Sequence, residues 1–187
     1  MKNTIYLITI ALLISACTYK NEAVKLQPYE ANYKAPMAKD KQAVFVQSVK
    51  DLRSNKTNIG YALEDGKKKI TFFTHEDFEK KYKDALLYAL NISEFNTNVS
   101  QGDATEIIQV NIKDIEIIHT DKSFDENLKG KILVELVVKK GNTITKSNFT
   151  QKAGEWMSPS YNSKDIEPFL SALFSDSVNA VVAKLAE

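Results

Sequence analysis

Residues 127–140 read NLKGKILVELVVKK. Leu128, Ile132, Val134, Leu136 and Val138 share one parity, and Lys129, Lys131, Glu135 and Lys139 share the other. Successive side chains of an extended chain point to opposite faces, so this is a strand with one face on a core and one in water. Gly141-Asn142 follows as a hairpin turn. The return strand, TITKSNFTQKAGEW (143–156), is poor in apolar side chains and reads as an edge or exposed strand. Strands wet on one face belong to antiparallel sheets with cover on the other side.

The same reading extends upstream and downstream. EIIQVNIKDIEIIH (106–119) puts Ile108, Val110 and Ile112 on one face, then shifts phase to Ile115 and Ile117, which predicts a bulge near Asp114. AVFVQSVKD opens the ordered chain as a short β-branched strand, and KITFFT (69–74) is a second, weaker one. Between them Asn58-Ile59-Gly60 and Asp65-Gly66 read as turns. Thr74, with Asp77 three residues on, predicts the cap of a helix whose apolar face is Phe78, Tyr82, Ala85, Leu86, Ala89 and Leu90. A last helix, capped by Asp165 with Pro168 in its first turn, carries Ile166, Phe169, Leu170, Leu173, Phe174, Val178, Val181, Val182 and Leu185 at helical spacing. The expected fold is α+β, a small antiparallel β-sheet with two amphipathic helices packed on one face, in the order β-(β)-α-β-β-β-α.

Of the 187 residues, 43% are hydrophobic and 26% charged, as in an ordinary globular domain. The formal net charge of +1 supplies no field to concentrate nucleic acid, and Arg53 is the only arginine, so a nucleic-acid reader is not expected. One cysteine, Cys17, excludes an internal disulfide and a cysteine-based zinc site. His75 and His119 lack ligand spacing and read as surface or boundary histidines, so no metal and no cofactor is expected.

Lys2, the apolar run Ile5–Ile14 and the small pair Ser15-Ala16 have the three-part layout of a secretory signal, too short to span a bilayer as a helix. Leu13-Ile14-Ser15-Ala16-Cys17 resembles a bacterial lipobox. That resemblance implies cleavage between Ala16 and Cys17 and a diacylglycerol on the Cys17 sulfur. The alternative is a plain secretory signal with an incidental cysteine. Acyl chains would anchor the chain to a membrane, each buried CH₂ contributing about 0.8 kcal/mol. Thr18 rather than aspartate follows, which by analogy with enteric lipoproteins implies the outer membrane, the domain facing the periplasm or the cell surface. The expected organisation is a cleaved signal peptide at 1–16, a lipidated N-terminus and flexible tether at 17–42, and one periplasmic domain at 43–187. The tether reading rests on the mixed polar sequence of 18–42 and on Pro28 and Pro36.

With the lipobox at Cys17 and the first strand running into VKDLRSNKTNIG (49–60), the chain resembles the YajG-type lipoproteins of Gram-negative bacteria. In that family a strand is followed by an Asp/Arg pair and then Ile-Gly, and the later helix, three strands and final helix keep the same order over 43–187. EDGKKKITFF and DKSFDENLKG (121–130) lie outside that pattern. The resemblance implies a location and a fold, with no established reaction.

No Gly-x-Ser-x-Gly, phosphate-binding glycine loop or histidine metal motif is present, so the expectation is a non-enzymatic envelope component with a protein partner. Arg53, beside Asp51, is a candidate contact residue, with organisation of its own loop as the plainer reading. Trp156 is another, against a plug role at a strand end. A second class is an LptE-like lipoprotein binding lipopolysaccharide, with Lys129, Lys131 and Lys139 meeting phosphates. An accessory of a flagellar or secretion machine is a third.

Overall fold

A computed structural model describes residues 20–30, 37–38, 42–122, 125–158 and 160–187. The lipobox and Cys17 lie outside these residues. The elements are β1 (Lys20–Ala23), β2 (Val44–Asp51), β3 (Asn58–Glu64), β4 (Lys67–Phe73), α1 (Phe78–Ile92), β5 (Glu106–Thr120), β6 (Leu128–Lys140), β7 (Thr143–Glu155) and α2 (Ser163–Leu185).

The α+β class holds, but the sheet is larger than expected and mixed. It has seven strands in the order β1-β4-β3-β5-β6-β7, with β2 also on β5. β5 is the shared partner. Along one side it pairs antiparallel with β6 over its whole length. Along the other it takes β2 in parallel from Val44↔Glu106 to Asp51↔Ile112, then β3 in parallel from Gly60↔Ile117 to Leu63↔Thr120. β2 and β3 thus occupy one lane, interrupted by the loop 52–57. The phase shift read in β5 is real, since the β5–β6 register slips between Ile112 and Asp114. It returns Ile115 and Ile117 to the buried side that holds Ile108, Val110 and Ile112.

Both helices present the apolar faces read from their spacing, and all of the named residues are buried. They pack on each other and on the sheet, α1 over β2 and α2 over β6 and β7. α2 comes close to the sheet at Gly130, where a Cβ would meet the Phe169 ring at 2.5 Å. Two caps differ from expectation. Asp77, not Thr74, caps α1 by accepting from the Lys80 N–H, while Thr74 accepts from the Glu76 N–H. Asn162 caps α2 in a box with Asp165, which places Pro168 past the first turn. In each case a nearer side chain reached the free N–H groups first.

Two strands were not expected. Asn58-Ile59-Gly60 opens β3 instead of forming a turn. Gly60 has φ 155°, and a Cβ there would lie 1.9 Å from the Ile117 carbonyl oxygen, so the residue is required by the approach of β3 to β5. The second is β1, inside the segment read as a tether. It runs parallel to β4, and the Val24 N–H continues the ladder to the Phe73 carbonyl at 2.8 Å. Val24 and Leu26 are core residues at 1% and 2% exposure. Beyond them the Gln27 N–H donates to Ser171 Oγ, the Tyr29 hydroxyl to Asn179, and Lys81 Nζ to the Leu26 carbonyl. A flexible tether through residue 42 is therefore wrong for residues 20–29, which lie as a strap across both helices. The polar composition misled because only every second side chain of this stretch turns inward.

The strap predicts a measurable cost. Leu26→Ala should lower unfolding free energy by about 2–4 kcal/mol in a urea titration, where a spacer residue would leave it unchanged. Gly60→Ala should cost about 3 kcal/mol or more by the same measurement, because strain and a backbone clash combine.

Candidate functional site

Arg53 sits in the loop that separates β2 from β3 and is 8% exposed. Its Nε donates to Asp51 Oδ1 at 2.9 Å and its Nη2 to Asp51 Oδ2 at 2.7 Å, a bidentate pair buried on both sides. Nη2 also donates to the Lys56 carbonyl at 2.8 Å, and the guanidinium lies 5.0 Å from the centre of the Phe78 ring. Asn55 Oδ1 accepts from the N–H groups of Thr57 and Asn58 and completes the loop. The Asp/Arg pair thus fastens the gap in the β2–β3 lane to the first turn of α1. Most of its hydrogen bonds are made inside the protein, as the plainer reading of a loop organiser expects.

Lys129 and Lys131 lie on the open face of β6, as expected. They line a surface concavity of about 430 Å³ together with Lys152, Glu116, Glu126 and Ile118. Lys131 is already engaged, with Asp114 at 2.7 Å and Glu116 at 3.6 Å, and these carboxylates raise its pKa. Lys129 is exposed. Lys139, eight residues further along β6 than Lys131, is at the other end of the strand.

Trp156 follows β7 and is 55% exposed, so it is not a packing plug. Its neighbour explains why it stays out. Met157 is buried, its N–H donates to Asn127 Oδ1 at 2.7 Å, and its carbonyl accepts from Asn127 Nδ2 at 2.8 Å. That paired amide bond fixes the backbone just past the strand and leaves the indole outside. Arg53 and Trp156 are not among the residues that line the concavity of the two lysines.

A feature missed at the sequence level is His119. It is 5% exposed rather than at the surface, and its ring lies 4.1 Å from that of Tyr161. The signal was present: His119 continues the parity of Ile115 and Ile117 into the core. His119 Nε2 and the Tyr161 hydroxyl are both buried without a hydrogen-bond partner among the described residues. Burial pushes the imidazole pKa down, opposed in part by the carboxylates of Asp121 and Glu64, and burial pushes Tyr161 up to about 12. His75, by contrast, is exposed and packs edge-on to Phe73. Among the described residues no three His, Cys, Asp or Glu side chains are grouped as a metal site.

The chain matches no family model and no curated protein in sequence. Its fold is similar to solved structures. Protein XCC0632 from Xanthomonas campestris, of family DUF330, aligns over 89% of this chain and 92% of its own at 13% identity, with a TM-score of 0.52. The hypothetical protein CT253 from Chlamydia trachomatis aligns over 76% of this chain and 96% of its own at 12% identity, with a TM-score of 0.45. The first of these likenesses establishes a shared fold and nothing of activity.

Two outcomes are expected from this geometry. Arg53→Ala strands a buried carboxylate and should cost about 3–5 kcal/mol, more than replacing both Asp51 and Arg53 by apolar residues. For His119, the unfolded chain takes up a proton near pH 6.5 while the native imidazole resists until lower pH. Its contribution is present above that value and lost as pH falls toward the native pKa. Urea midpoints should therefore drop between pH 7 and pH 5.5 more steeply in the wild type than in His119→Gln.

Proposed function

We propose that the protein is a non-enzymatic lipoprotein of the YajG type, anchored in the outer membrane by acyl chains on Cys17, with its domain serving a partner in the cell envelope. The observation that carries this reading is Leu13-Ile14-Ser15-Ala16-Cys17 placed directly after the apolar run Ile5–Ile14. Several buried polar groups of the domain serve its architecture, the His119–Tyr161 pair being the exception. Arg53 and Asp51 close a loop, Asn127 clamps Met157, and the Ser177 hydroxyl donates to Tyr82 across the two helices. No described helix is long and apolar enough to cross a membrane.

One observation favours a second reading, recognition of lipopolysaccharide. Lys129 and Lys152 flank the concavity whose lining also includes Ala153, Gly154 and Ile118, a setting for a phosphate beside an acyl chain. Its weakness is Lys131, whose charge is already balanced by two carboxylates.

Radiolabelled palmitate should enter the wild-type protein in a Gram-negative host and not Cys17→Ala. Equal labelling of the two would sink the anchor. Lipopolysaccharide binding that is lost on reversing the charge of Lys129 and Lys152 would promote the second reading over the first.

A further inference from the structure

The strand registers place six residues in one row across the sheet: Lys20↔Ile70, Ile70↔Ala62, Ala62↔His119, His119↔Leu128 and Leu128↔Glu155. Everything beyond that row leaves the sheet at a single end. β1 enters there from residue 19, and the β3–β4 turn at Asp65-Gly66 and the β5–β6 connection lie there too. β7 exits there into Trp156. Sheet twist fans these strand ends apart without moving any of them to the other end.

The chain length before β1 then becomes decisive. Three peptide steps separate Cys17 from Lys20, a reach of about 10 Å when fully extended. The opposite end of the sheet, at Gly141-Asn142, is twelve or more residues up β6 from the row, on the order of 40 Å away. An acylated Cys17 therefore cannot present that far end to its own bilayer. Resting on the anchor reading above, we infer that the row end of the sheet lies on the phospholipid headgroup layer, with Trp156 as its interfacial contact.

The side chains at this end fit that occupant. Tryptophan is enriched at the level of lipid headgroups, where its ring meets the apolar boundary and its N–H meets water. Trp156 is the only tryptophan, it is exposed, and the Asn127–Met157 clamp holds its backbone in place. Lys67, Lys68 and Lys122 are exposed at this end, beside the exposed acids Glu64, Asp65, Asp121, Asp125, Glu126 and Glu155. Acids thus outnumber lysines among the described side chains of this end, which suits a layer rich in headgroup amines and disfavours a strongly anionic surface. The acyl chains supply the affinity, and Trp156 with the short link sets the orientation. Five strand spacings, about 24 Å, separate the two contacts across the sheet, which makes the arrangement a two-point stance.

The test uses full-length protein expressed in a Gram-negative host and extracted from its membranes. It is reconstituted into phosphatidylethanolamine–phosphatidylglycerol vesicles that carry a nitroxide high on some acyl chains. Mass spectrometry of the same sample reads acylation at Cys17. In acylated protein, Trp156 emission should shift to the blue and be quenched by the nitroxide. A tryptophan moved to the far turn, Asn142→Trp in a Trp156→Phe background, should show neither effect. Equal quenching of the two, or none for Trp156 in acylated protein, overturns the orientation and leaves the anchor standing. Protein found unacylated overturns the anchor, and the orientation with it.

Discussion

The structure depends on the register of β5. One edge of this strand is filled by β6, and the other is divided between β2 and β3, which arrive from the same lane in the same direction. Parallel neighbours must be delivered by chain that travels back, and here the lane is instead resumed after a short excursion, residues 52–57. The bulge in β5 at Ile112/Asp114 falls opposite that excursion and keeps Ile115 and Ile117 in phase with the core. Asp51 and Arg53 then hold the excursion closed. A bidentate pair suits this position because one planar group can bind a carboxylate and reach a backbone carbonyl together.

Legibility from sequence followed the number of repeats a pattern offers. β6 and the two helices present long periodic runs, and their buried residues were readable one by one. β1 and the residues that continue it offer only Val24 and Leu26 as apolar side chains on the inner face, too few to separate the segment from linker. β3 was hidden for another reason. Asn58 and Gly60 look like turn residues, yet Gly60 is needed because Ile117 comes too close for a side chain. Parallel pairing between distant segments leaves no local trace, so a mixed sheet passed for an antiparallel one.

The candidate residues divided by what their neighbours demanded. Arg53 stood out by rarity, but rarity carries no direction, and the neighbouring carboxylate and carbonyls captured it. At Trp156 the bond pair made by Asn127 fixes the chain at the neighbouring Met157, and the indole is more than half exposed. His119 was legible by parity alone, while its pairing with Tyr161 depends on a loop more than forty residues away and on the entry to α2.

The strap joins these threads. A lipoprotein on a long free spacer samples every orientation above its membrane, and its surface says little about which partner it meets. Here residues 20–29 are sewn into the sheet and across both helices, so on the proposed anchor at Cys17 only a few residues would separate lipid from domain. Orientation would then follow from topology, because strand direction decides which loops lie at the end where β1 begins. On that footing the surfaces left for a partner include the far turn at Gly141-Asn142, the C-terminal ends of both helices, the open face of the sheet and the outer edge of β7. The β7 edge runs thirteen residues from the far turn back to Trp156, so a strand paired to it would stand away from the bilayer. A partner engaged there would be held at a fixed height, a constraint that a flexible tether could not impose.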